Sequence, residues 1–150
     1  MSQAVKFPIN SLVFLTNRVG RLLANEIRKR TALDELGLSA QHMGILVDLW
    51  VKEGVRQQDL AVSNIKDKGT IARALQSLEA ANIVVRIPDQ EDKRNKLIYL
   101  THRGRSLREE LLPEAQQTVQ EATEGIPEED LAICKRVLSQ IYQKFTCNHK

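Results

Sequence analysis

Only two of the 150 residues are cysteine, Cys134 and Cys147, too few for a disulfide framework or a self-contained zinc site. No apolar run approaches the roughly 18 residues of a membrane span, and the first residues lack a basic-then-apolar signal segment. His42, His102 and His149 are scattered, and none stands four residues from another His or Cys as a helical metal site requires. No glycine-rich phosphate loop follows a strand pattern, and no Gly-x-Ser-x-Gly elbow occurs. The carboxylate cluster Glu128-Glu129-Asp130 follows Pro127 and suits the positive end of a helix dipole rather than acid-base chemistry. The expectation is a soluble, cytoplasmic protein with no catalytic site, metal or cofactor.

What is present is ordinary globular material. Hydrophobic residues reach 42% before glycine is counted and charged residues 27%, which fits one folded domain over residues 1–150 rather than a disordered chain. The net charge of +3 is unevenly spread: residues 1–104 hold 16 Lys+Arg against 11 Asp+Glu, whereas residues 105–150 hold 6 against 8. A basic first two-thirds suits a polyanion partner, although ordinary surface charge would give the same count.

Six helical stretches and one hairpin account for nearly the whole chain. Residues 11–30 place Leu12, Leu15, Val19, Leu22, Leu23 and Ile27 on one helical stripe. Ser39 is the expected N-cap of a helix carrying Met43, Leu46, Val47, Leu49 and Trp50 that stops near Gly54. A short helix at 57–63 follows, then one at 68–81 capped by Asp67, with Asn82 suited to the left-handed position after it. Residues 83–87, ended by Pro88, and 96–100 read as paired strands around a polar loop. Thr101 caps a helix at 102–123 that Pro113 is expected to kink, and Pro127 opens a last helix.

Two helices joined by a tight turn, then a hairpin with a charged tip, make the pattern of a winged helix-turn-helix over 55–100. At about 100° per residue, Ile71, Ala74, Leu75 and Leu78 fall on the buried face of the second helix. The opposite face presents Gly69, Arg73 and Gln76, flanked by Ala72 and Ser77, with Lys68 and Thr70 near its start. Small residues there let the backbone approach a duplex, Arg pairs two donors with guanine, and Gln can do the same with adenine. A merely solvent-exposed helix would be as polar. The hairpin tip Asp92-Lys93-Arg94-Asn95-Lys96 has three cations and no core to cover. A guanidinium on a thin ribbon fits the narrow, electronegative minor groove, and Asp92 is placed to orient Arg94.

Five segments occur in order: Leu38-Ser39-Ala40-Gln41, Gln58-Asp59-Leu60-Ala61, Asp67-Lys68-Gly69-Thr70, Asp89-Gln90-Glu91-Asp92-Lys93-Arg94 and Leu100-Thr101-His102-Arg103-Gly104. Together they resemble the multiple-antibiotic-resistance regulator (MarR) family of bacterial winged-helix transcription factors. The Asp-x-Arg wing followed by Leu-Thr-x-x-Gly is the most specific part. The resemblance implies a mainly α fold with a small β-hairpin: a winged helix-turn-helix at about 38–104 flanked by dimerisation helices at about 9–32 and 102–147. It also implies a homodimer with each recognition helix in a major groove of double-stranded DNA and each wing in a minor groove. By position, Thr70 and Arg73 match the recognition contacts, Lys68 a phosphate contact, Arg94 the minor-groove arginine and Asp92 the acid that steadies it. Arg56, Gln57 and Lys66 are further phosphate candidates.

Three positions depart from the family pattern. Lys93 replaces the first wing arginine with a point charge, Asn82 stands where Gly is usual, and Arg56 replaces the Ser or Thr that opens the preceding helix. The first and third bear on which sequence is preferred, not on the mode of binding.

Leu131, Cys134, Leu138, Ile141 and Phe145 are spaced 3, 4, 3, 4, the seam of a helix pair, though packing within the chain would need the same stripe. Cys134 is expected to act as a small buried hydrophobe and Cys147 to be exposed; neither matches a redox-sensing motif. The function expected is a dimeric transcriptional regulator, a repressor at a pseudo-palindromic operator, relieved by a small molecule. The family's ligands are often phenolic or aromatic acids held between the dimerisation helices and the winged unit. With aromatics at 4%, no pocket residue stands out. The alternatives are a winged-helix module for protein-protein assembly, or a ligand-binding protein whose DNA site has decayed.

Overall fold

The computed structural model describes residues 10–147. Ile9, where the first helix was expected to begin, and His149 lie outside them. In chain order the elements are α1 (Leu12–Arg30), α2 (Ala40–Val51), β1 (Val55–Arg56), α3 (Gln57–Ser63), α4 (Lys68–Ala80), β2 (Val84–Pro88), β3 (Lys96–Leu100), α5 (His102–Ala122) and α6 (Glu128–Thr146). The fold is mostly helical with one small sheet, the winged-helix arrangement that the helix and strand periodicities require.

The core is built from residues between Leu33 and Leu111: Ile45, Leu46 and Leu49 of α2 meet Leu60 of α3, Ile71, Leu75 and Leu78 of α4, then Ile83, Val84, Ile98, Leu107 and Leu111. Every residue assigned to the inner face of α4 is buried. Val47 of α2, expected in the apolar set, instead faces outward. The terminal helices are different. Neither α1 nor α6 contains a buried residue, and Leu22 at 64% and Phe145 at 70% are openly solvated.

Cys134, expected to be buried in a helix-helix seam, is exposed in the single chain, where none of the described residues covers that face of α6; Cys147 is exposed as expected. Among the described residues no helix is long and apolar enough to cross a membrane, and no three His, Cys, Asp or Glu side chains gather as metal ligands.

The sheet has three strands, in the order β1-β3-β2, rather than the two of a plain hairpin. β1 pairs Val55 with Ile98 and Arg56 with Leu97, antiparallel. Two residues show no alternation, so this strand leaves no periodic trace in the sequence. Gly54, at φ +72, turns the chain into it, and the ring of Tyr99 packs against that glycine. The hairpin runs from Val84↔Leu100 to Pro88↔Lys96, one residue beyond the stop expected at Pro88. As the last residue of its strand, Pro88 costs little for lacking an N–H.

Local caps explain the helix ends. Asp67 Oδ1 accepts from the Thr70 N–H at 2.7 Å, and Thr101 Oγ1 accepts from the Gly104 N–H at 3.1 Å. Asn82 takes φ +61 after α4, with Asn82 N–H donating to Glu79 O and Ile83 N–H to Leu78 O, the two bonds of a Schellman ending. The same closure ends α3, where Ile65 stands at φ +54 although it is β-branched. α5 continues from His102 to Ala122 through Pro113 without breaking. Pro127 stands just before α6, and Glu128, Glu129 and Asp130 fill its first turn.

Candidate nucleic-acid interface

Burying Ile71, Ala74, Leu75 and Leu78 turns the opposite face of α4 to solvent. Lys68, Gly69, Arg73, Gln76 and Ser77 are all exposed, and Thr70 is half-buried. The first turn is internally ordered. Thr70 Oγ1 donates to Asp67 Oδ2 at 3.0 Å and accepts from Arg73 Nη2 at 3.3 Å. Arg73 is therefore braced back along the exposed face of α4, beside Gly69. The Thr70 backbone N–H, with its hydroxyl next, keeps the Asp67 carboxyl below its usual range, so the cap is ionised at neutral pH.

The wing is ordered the same way. Asp89 N–H donates to Asn95 O and Asn95 N–H to Asp92 O, both at 2.9 Å, closing the loop between β2 and β3. Asp92 then takes Arg94 Nε on Oδ1 at 3.1 Å and Nη2 on Oδ2 at 3.3 Å. That pair, and the Arg94 N–H after it, hold the Asp92 carboxyl below its ordinary value, and the nearby Arg56 charge adds to the effect. Lys93, Arg94 and Lys96 are exposed.

β1 brings the two halves together. By pairing with β3 it carries Arg56 and the start of α3 beside the base of the wing. An open cleft of about 200 Å³ results, lined by Arg56, Gln57, Gln58, Lys68, Arg94, Asn95 and Lys96. Residues chosen from three separate stretches thus share one concave, cation-rich surface. Arg56 occupies the N-cap position of α3 but makes no capping bond with its side chain, which leaves the guanidinium to the cleft. Lys66 does not join it, lining instead a groove with Ala61, Val62, Ile65, Phe145 and Thr146.

Four neighbours were missed from sequence. Gln58 and Asn95 complete the cleft, while Gln41 and His42 line a shallow hollow beside Thr70, Arg73 and Ser77. Gln41 Nε2 reaches the Thr70 carbonyl at 3.4 Å. Their position depends on how α2 crosses α4, which no local pattern encodes.

Two structural motifs explain the Leu-Thr-x-x-Gly segment. Thr101 also donates to Asn82 O at 2.7 Å, tying the start of α5 to the end of α4. Gly104 passes so close to Ile83 that a Cβ would lie 2.3 Å from its carbonyl oxygen, and Trp50 Nε1 donates to the Gly104 carbonyl at 3.0 Å.

The MarR family model matches residues 38–96. A transcriptional regulator of the MarR family from Rhodococcus sp. RHA1 is 32% identical, over 94% of this chain and 96% of that one, with a TM-score of 0.76. The chain belongs to the MarR family. Also similar is CouR from Rhodococcus jostii RHA1, whose structure was solved bound to p-coumaroyl-CoA: 30% identity, 88% and 91% coverage, TM-score 0.75. The HTH-type transcriptional regulator YybA of Bacillus subtilis (strain 168) is 25% identical over 107 residues, 71% of each chain. This MarR-family transcriptional regulator thus shares its fold with relatives over nearly the whole chain, terminal helices included.

Proposed function

We infer that the protein is a homodimeric repressor that binds a pseudo-palindromic operator in double-stranded DNA and is released by a small aromatic or phenolic ligand. The observation that carries this is the convergence of Arg56, Lys68, Arg94 and Lys96 on one cleft beside the uncovered face of α4. α4 enters the major groove, where Arg73, Thr70, Gln76 and Ser77 face base edges and Gly69 admits the backbone closely. Lys68, Arg56 and Gln57 meet phosphates, while Lys66, which stands outside the cleft, is left out of the contact set; the wing puts Arg94, steadied by Asp92 and flanked by Lys93 and Lys96, into the minor groove.

The terminal helices supply the symmetry. Leu12, Leu15, Val19 and Leu22 of α1 and Ile133, Val137, Leu138 and Phe145 of α6 are exposed in the single chain, an apolar surface too large to leave in water. A second copy covers it, Cys134 included, so helices at about 9–32 and 102–147 form the dimer and residues 38–104 the DNA-binding unit. Two-fold symmetry then sets recognition helices about 10 base pairs apart on one side of the duplex. Ligand and DNA oppose each other through a dimer geometry that only one of them accepts. The ligand class follows from CouR, a relative that binds p-coumaroyl-CoA. The setting is the cytoplasm of a bacterium.

The test is selection of random duplexes on the purified protein at near-physiological salt, with the bound pool sequenced, then release of the selected DNA by phenolic acids and their CoA thioesters. A two-fold symmetric motif, retained in a salt-sensitive way, supports the proposal. A pool without a motif overturns it in favour of an assembly module or a ligand-binding relic. Indifference of the selected complex to every phenolic compound removes the ligand clause alone.

A further inference from the structure

Helix α6 turns away from α5 at a corner containing Gly125, at φ +84, and then runs back toward the DNA-binding unit. Along the way it buries nothing of its own. Near its end the Tyr142 hydroxyl donates to the Ser63 carbonyl at 2.9 Å, 79 residues away in sequence. Ser63 is the last residue of α3 and belongs to a stiff joint. Its Oγ donates to Asp48 Oδ2 of α2, and Asn64 Nδ2 donates to the same oxygen at 3.0 Å and to Leu60 O at 2.9 Å. Gly44 of α2 faces Asn64 Oδ1 with no room for a methyl group between them. The turn onward to α4 is closed by the Lys66 N–H on Ala61 O at 3.0 Å, and Asp67, the cap of α4, comes next. Tyr142 thus bonds to the point at which α2, α3 and the start of α4 are tied together by hydrogen bonds.

We propose that Tyr142 is a positioning residue for operator specificity: by bonding to Ser63 it fixes the angle between the dimer-forming helix α6 and the recognition helix, and so the half-site spacing the dimer accepts. This rests on the dimeric, operator-binding function inferred above. The leverage is geometric. A 19-residue helix is roughly 28 Å long at ~1.5 Å per residue. A swing of about 7° at one end moves the other by about 3.4 Å, the rise of one base pair. A hydrogen bond at a residue 45% exposed contributes little to folding, yet releasing that angle changes which duplex fits.

The experiment uses the full-length dimer and a selected operator whose half-sites are moved together or apart by one and two base pairs. Wild-type protein is expected to prefer one spacing by about tenfold or more over its neighbours, the scale of a poorly fitted contact. Tyr142→Phe is expected to reduce that preference to about threefold or less, with dimer mass and melting temperature unchanged. Thr146→Val, which removes a hydroxyl that bonds within α6, to Tyr142 O at 2.8 Å, is expected to keep the wild-type profile. A Tyr142→Phe profile identical to wild type overturns the inference, as does an equal loss in Thr146→Val, which would indicate general loosening of the helix end. Wild-type binding with no spacing preference at all overturns the dimeric reading and the inference together.

Discussion

Asp92 holds Arg94 by three bonds at the tip of the wing: the Arg94 backbone N–H and Nε on one carboxylate oxygen at 3.1 Å each, and Nη2 on the other at 3.3 Å. The Arg94 side chain is nonetheless 91% exposed. An ion pair so open to water contributes almost nothing to folding, and its geometric effect is to fix the orientation of the guanidinium. Arg94→Ala is expected to weaken the operator complex by roughly 1–3 kcal/mol in a fluorescence-anisotropy titration, with the melting temperature unmoved. Asp92→Ala, which leaves the charge but frees it, should produce a smaller loss in the same direction. Affinity unchanged in both variants would remove the wing from the interface.

Arg73 is braced from the side, its Nη2 on Thr70 Oγ1 at 3.3 Å, on the exposed face of α4. Arg73→Ala should lower affinity for the selected operator by roughly 1–3 kcal/mol while sparing random DNA, so that the two converge. Lys68→Ala should weaken both together and lower the salt dependence by about one counterion, the signature of a phosphate contact. The two behaviours exchanged would reassign the residues.

Gly104 leaves no space for a side chain, because the atom it would strike is the backbone oxygen of Ile83 at 2.3 Å. That oxygen also accepts the Thr101 N–H at 3.0 Å and cannot swing aside. Gly104→Ala should therefore destabilise the fold by roughly 1–3 kcal/mol in urea unfolding, despite the better helix propensity of alanine. Stability equal to or above wild type would show that α5 can shift away from the end of α4 freely.

His42 gives stability a pH dependence near neutrality. Its Nδ1 accepts the Ser39 N–H at 3.0 Å, which the ring can do only while that nitrogen is unprotonated, and burial lowers its pKa below the usual 6.5. The unfolded chain therefore takes up the proton first. Stability from this group is complete above pH 6.5 and declines as pH falls through that value toward the folded pKa. His42→Gln should flatten the stability curve just below about pH 6.5. Glu53 is depressed chiefly by its hydrogen bond to Arg105, and Glu79 by its bond to Arg86. Their contributions are present above the ordinary carboxylate range near pH 4 and are lost only below it, so a second decline should begin there in both proteins.

Elements long enough to show a period were legible in the sequence. The inner face of α4, the caps Asp67 and Thr101, the left-handed Asn82 and the Asp92–Arg94 pair all depend on neighbours within a few residues, and the structure has each of them. β1 was not legible, since two residues carry no alternation and its partner lies more than 40 positions away. Nor was the left-handed turn at Ile65, a residue type that avoids that conformation unless its surroundings impose it. What covers Cys134 was not legible either, because a seam spaced 3, 4, 3, 4 states that one face must be covered but not by which chain, and in the single chain the residue is exposed.

The sequence by itself determined which residues are apolar on one face and charged on the other, and hence a winged helix-turn-helix with cations at the wing tip. Those are properties of spacing and side-chain chemistry, carried by each segment alone. Only the tertiary structure decided that Arg56, Lys68, Arg94 and Lys96 share one cleft, that Lys66 stands apart, and that Tyr142 reaches Ser63. Each of these joins segments remote in sequence, and their meeting is set by how the core packs α2, α3, α4 and the sheet against one another. Packing is a property of the whole set of side chains, which no window of the sequence contains.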